Sequence, residues 1–93
     1  MVTHVHALHI LVKSLPEAEE VLKEINKGAE FQKMAQLKST CPSGKRGGDL
    51  GWFGRGVMVK EFEKVAFELE KGEMSKPIKT QFGWHIIKVV DKR

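Results

Sequence analysis

CPSGKRGGDLGWFGRG, residues 41–56, holds six of the nine glycines of this 93-residue chain. Residues without side chains cost conformational entropy on folding, so a chain keeps them where backbone turns tightly or comes close to a partner. The stretch predicts a loop, poorly suited to a helix or a long strand, that forms the rim of a binding site. Its flanks are apolar and periodic, FQKMAQLK before it and MVKEFEKVAFELEK after it. The loop is therefore inserted between packed elements.

Working outward toward the N-terminus, ALHILVK (residues 7–13) alternates as a strand that is apolar on both faces, which predicts a central position in a sheet. Ser14 and Glu17 then open a helix as a capping box. Leu15, Ala18, Val21, Leu22 and Ile25 make its buried stripe, and Gly28 stops it. A second helix is expected from Glu30 to Lys38, with Phe31, Met34, Ala35 and Leu37 facing inward. Within the glycine stretch, residues 51–53 suit a short strand.

Toward the C-terminus, residues 59–70 predict a third helix with Phe62, Val65, Ala66 and Leu69 inward, ended by Lys71 and Gly72. Pro77 has no amide to donate, so residues 76–80 read as an edge strand. Gln81, Phe82 and Gly83 make a hairpin turn. Residues 84–90, WHIIKVV, close the sheet with His85, Ile87 and Val89 on one face. The order is strand, helices, strand, helix and two strands, an α+β domain over residues 1–93.

A hydrophobic content of 41% with 30% charged residues fits an ordinary soluble domain with one small core. The single cysteine forms no intrachain disulfide, which fits a reducing compartment. The N-terminal residues show neither a signal-peptide pattern nor an apolar run able to cross a bilayer, so the expected address is cytoplasmic. A net charge of +4 tolerates acidic partners, but lysines alternate with glutamates as on a solvated helix face.

Three separated pieces, LHILVK, the run from Cys41 to Ile78, and FGWHIIKV, together resemble the parvulin family of peptidyl-prolyl cis/trans isomerases. The resemblance covers nearly the whole chain. It implies the FKBP-like parvulin fold, a four-stranded, mostly antiparallel sheet flanked by helices, and rotation about X-Pro bonds without cofactor or metal. Position by position, it implies a catalytic set of His9, Cys41, Thr80 and His85. It also implies that Leu50, Met58 and Phe62 wall the proline pocket, with Phe82 at a further pocket position; Gln81 borders the rim with less support. The basic cluster that follows the first strand in the phosphate-directed branch is reduced here to Lys13, so no strong demand for a phosphorylated residue before proline is expected.

The residues themselves suit that chemistry. Met58 and Phe62 are four apart and can share a helix face, although apolar residues at that spacing are more often core than site. Histidines in central strands are commonly satisfied core groups. Two on neighbouring strands can instead hydrogen-bond through fixed tautomers, with Thr80 completing the chain. Cys41 beside a histidine invites a hydrolase reading, but no orienting partner or oxyanion hole can be named. The preferred role is a polar or anionic group facing the twisting carbonyl. His4 and His6 share a strand face while His9 points away, fewer ligands than zinc takes. GKR lacks the spacing of a phosphate loop.

The expected partners are proline-containing peptides and unfolded or partly folded proteins, bound by a monomer, with no nucleic acid or membrane. Two other readings stand beside it. One is a non-catalytic module of the same fold that holds extended segments; the other is a small RNA-binding domain using Trp52 and Phe53.

Overall fold

The computed structural model describes residues 2–93 and contains β1 (His4–Val12), α1 (Leu15–Asn26), α2 (Phe31–Lys38), a 3-10 turn (Pro42–Arg46), β2 (Asp49–Gly54), α3 (Lys60–Glu68), β3 (Ile78–Thr80) and β4 (Gly83–Lys92). One four-stranded sheet runs in the order β2-β1-β4-β3. Every pairing in it is antiparallel. The two strands that are apolar on both faces, β1 and β4, are its centre, because only a central strand has both faces covered.

Alternation sends successive side chains to opposite faces. Val5, Ala7, Ile87 and Val89 pack under α3 through Phe62, Ala66 and Phe67. Leu8, Ile10, Val12 and Ile86 pack on the other face against Ala18, Val21, Phe31 and Met34 of α1 and α2. The α-helices are thus divided between the two faces, and the open space beside α3 is where the histidines point.

The caps and stops are local chemistry. Ser14 Oγ accepts from the Glu17 amide at 3.3 Å, and the Ser14 hydroxyl donates to Glu17 Oε1 at 3.1 Å. The box is therefore closed between the side chains, not by the glutamate returning to the Ser14 amide. Gly28 follows α1 at φ 116°, a conformation favouring glycine.

Several expectations need correction. The strand β1 begins at His4 rather than Ala7, since a register shift after His6 breaks the alternation that marks its later part. The glycine stretch is more ordered than a loop, holding the 3-10 turn and the six residues of β2. Leu37 is 75% exposed, because at 3.6 residues per turn it falls roughly 140° from the centre of the stripe set by Phe31 and Ala35. Leu15, the first helical residue, is also exposed. On α3, Phe67 is buried against Phe53 with Arg55 over its ring, while Val65 is only partly covered. The edge strand is confined to Ile78–Thr80 and β4 continues to Lys92.

Gly48 ties the glycine stretch to the sheet. Its amide donates to the Ser43 carbonyl at 2.8 Å, and its carbonyl accepts from the His9 amide at 2.9 Å. At φ 83°, a Cβ there would run into the His9 carbonyl oxygen. Gly51 also has positive φ, but nothing lies within 4 Å of the position of its Cβ. Gly48→Ala should therefore lose at least about 2 kcal/mol, against about 1 kcal/mol for Gly51→Ala. Urea denaturation midpoints check the difference, and equal losses would contradict the anchoring role.

Candidate active site

His9 pairs in register with Ile87, and Leu11 with His85, so the two histidines are diagonal neighbours on the α3 face of the central strands. Their Nδ1 atoms are 3.0 Å apart, and the rings stack with centroids 5.2 Å apart. Outward from that contact, His85 Nε2 meets Thr80 Oγ1 at 2.7 Å, and His9 Nε2 meets Ser43 Oγ at 3.1 Å. The Ser43 hydroxyl donates to Cys41 Sγ at 3.3 Å. At the far end the Phe82 amide donates to Thr80 Oγ1 at 3.1 Å. Five side chains from the first strand, the glycine stretch and the last hairpin thus make one continuous chain of contacts.

Burial governs its charge. His9, Thr80, Ser43 and His85 are all buried. Desolvation, and then the neighbouring His85, lower the pKa of His9 from 6.5 to about 4. Desolvation also lowers that of His85. Both rings are neutral at neutral pH, so each has one donor and one acceptor nitrogen. Phe62 stands edge-on to both, with centroids 5.5 Å from His9 and 5.4 Å from His85.

Above the rings opens a cleft of about 500 Å³, which is ample for a peptide side chain and its neighbours. Leu50, Met58, Phe62 and Phe82 line it together with His9, His85 and Cys41. Among the described residues, no lysine, arginine or carboxylate lines it. Phe62 is 2% exposed and belongs to the core as well as the cleft floor, whereas Phe82 at the mouth is 61% exposed.

Most residues expected at the site are therefore together. Gln81 is the exception: it lies exposed in the turn and does not line the cleft. Met58 reaches the cleft from the segment before α3 rather than from a shared helix face with Phe62. Thr80 closes the hydrogen-bond chain behind the rings and is not a wall of the cleft. Sequence reasoning missed Ser43, which links His9 to Cys41. The available signal was its position two residues after Cys41 in a stretch already marked as the rim. It also missed Val57, 66% exposed at the mouth. The remaining histidines are elsewhere, His6 Nε2 bonding Asp49 Oδ1 at 2.8 Å and His4 Nδ1 lying 3.0 Å from Thr3 Oγ1.

Residues 9–91 match the sequence model of the rotamase family, the PPIC-type PPIase domain. The chain belongs to this family of peptidyl-prolyl isomerase domains, as the parvulin resemblance implied. It is 54% identical over 89 residues to the foldase protein PrsA of Geobacillus kaustophilus, covering 95% of this chain and 32% of that protein. Among solved structures, PrsA from Bacillus subtilis superposes with a TM-score of 0.95 at 48% identity, over 98% of this chain and 36% of that one. The parvuline NmPin of Nitrosopumilus maritimus gives 0.86 at 42% identity, over 96% and 97%. The chain spans about a third of the length of the curated PrsA relatives it matches.

The lowered histidine pKa values set a pH dependence of stability. Below pH 6.5 the unfolded rings take up protons that the folded rings refuse, so this contribution is complete above 6.5 and is lost as pH falls toward 4. His9 alone should account for on the order of 3 kcal/mol across that window. Chemical denaturation at stepped pH should show a shallower slope in His9→Gln than in the native sequence; identical slopes would contradict a buried neutral His9.

Proposed function

We propose that the cleft binds proline-containing segments of peptides and folding proteins and accelerates cis/trans rotation of the X-Pro bond without a covalent step. The observation that carries the reading is an uncharged, largely apolar cleft over two buried, linked imidazoles and a thiol. Amide conjugation opposes rotation by about 18–20 kcal/mol. Conjugation is lost at the half-turned geometry, where the carbonyl carries less negative charge and nitrogen is pyramidal. An apolar slot that takes up the ring and removes water from the amide favours that geometry over the planar ones.

The parts divide the task. Leu50, Met58 and Phe62 receive the pyrrolidine ring; the methionine thioether adapts as the ring changes position. Phe82 holds the substrate at the mouth. Cys41 Sγ faces the same space and presents a polarizable group to the twisting carbonyl. The histidines hold the floor, and proton transfer to substrate is not required because no bond breaks.

Arg93 covers one face of Trp52 at 4.3 Å, and Phe53 is buried in the core. An RNA-stacking surface built on those two aromatics is therefore not favoured. The exposed mouth residues Val57 and Phe82 support the holding of extended segments alongside catalysis. We further propose that the domain acts as a monomer. Cys41 is unpaired, so the fold needs no disulfide and is neutral toward the cytoplasmic placement expected from the sequence.

Line-shape NMR of an X-Pro peptide measures the exchange directly. Met58→Ala should lower kcat/KM roughly tenfold, since about 1.4 kcal/mol of transition-state contact corresponds to that factor. Phe62→Leu should lower it while preserving more of the core than Phe62→Ala. Binding with no exchange enhancement in the native protein would leave only the holding function. Cys41→Asp should retain much of the rate; a loss as complete as that of a cleft deletion would oppose the non-covalent role of Cys41.

A further inference from the structure

Leu50 and Phe53 both lie on the α3 side of the sheet, Phe53 in the core there and Leu50 packed against it as a wall of the cleft. They are three residues apart in β2. Strict alternation sends residues an odd number apart to opposite faces, so the count must be reversed between them. Trp52 pairs with His6 and Asp49 with Leu8, which leaves Ala7 alone opposite two residues, Leu50 and Gly51. This is a bulge with Gly51 at φ 70°, where one extra residue re-aims its neighbour.

Two hydrogen bonds to one atom hold the bulge. Asp49 Oδ1 accepts from the Gly51 amide at 2.7 Å and from His6 Nε2 at 2.8 Å. The first bond closes the Asp49 side chain over the bend in its own strand, and the second ties the carboxylate across to β1. The His6 ring also lies against Trp52, with centroids 5.5 Å apart. Leu8 packs toward α1 and α2, and cross-strand partners share a face, so Asp49 stands on the side of the sheet away from α3. Neither His6 nor Asp49 lines the cleft.

We infer that Asp49, held by His6, is a positioning residue that turns Leu50 into the cleft. The inference rests on the proposed role of that cleft in prolyl isomerisation and adds to it a pair of residues acting from the opposite face. In a β2 without the bulge, with Phe53 kept in the core, Leu50 would project toward α1 and α2 and the slot would lose one wall. A carboxylate suits the task because a single oxygen takes donors from two strands. Burial pushes its pKa up, but the Gly51 amide, His6 and Arg46 together hold it below its ordinary value, so the acceptor is ionised at neutral pH.

The test combines line-shape NMR of an X-Pro peptide with the methyl signals of Leu50 in the same protein. Asp49→Ala should lower kcat/KM about fivefold and shift the Leu50 methyls, while Asp49→Asn, which keeps an oxygen acceptor, should stay within about twofold of the native rate with native-like methyls. Equal losses in the two variants would overturn the inference. Leu50→Ala supplies a second readout: if Asp49 acts through Leu50, adding Asp49→Ala to it brings no further loss, whereas additive losses would mark a general effect on the fold and overturn the proposal. If Asp49→Ala does not fold, His6→Ala decides: displaced Leu50 methyls support the proposal and unmoved ones overturn it. A native protein that binds the peptide without isomerising it would defeat the functional reading alone, since the methyl signals still report where Leu50 stands. An active protein whose Leu50 methyls ignore Asp49→Ala would defeat this inference alone.

Discussion

Two imidazoles in van der Waals and hydrogen-bond contact across the central strand pair are the constraint from which the site follows. Their separation of 3.0 Å between Nδ1 atoms is incompatible with both rings being protonated, and burial already disfavours charge on either. Neutrality leaves each ring a single donor. A buried donor or acceptor without a partner is costly, so the hydroxyls of Thr80 and Ser43 are required at the two ends. Those requirements in turn bring the last hairpin and the glycine stretch against the same sheet face. The floor is a largely buried polar network beneath an apolar slot.

The glycine stretch makes that assembly sterically possible. Backbone near Gly48 lies against the His9 main chain, close enough that a side chain would not fit. This close approach lets the 3-10 turn bring Ser43 to His9 and Cys41 to the cleft. Gly44 is similarly tight against the Ala35 carbonyl, at 2.9 Å for an added Cβ. The turn is thus held between α2 and β1, and the rim of the site is rigid where it meets the histidines.

Much of this was legible in the sequence, and the parts that were not share a cause. Strand alternation placed His9 and His85 on lines that meet, and the pattern of apolar residues placed the three α-helices. Leu37 looked like core because it is apolar in an amphipathic stretch, but an eight-residue helix buries a narrow stripe. Ser43 was not legible, because a serine between proline and glycine carries no mark of what its hydroxyl reaches. Gln81 sits beside a cleft residue in the chain, yet adjacent turn positions point differently. Periodicity reports one element at a time, whereas these positions depend on how separate elements meet.

Phe62 is packed at once into the core against Phe53 and edge-on to both histidines. A single ring therefore belongs to the part of the molecule that resists unfolding and to the floor of the cleft. Variation that tunes selectivity is constrained at that position, because reshaping the ring reshapes the interior. Substitution has its freest ground at the entrance, where Val57 and Phe82 stand in solvent and a change of side chain disturbs little of the interior packing.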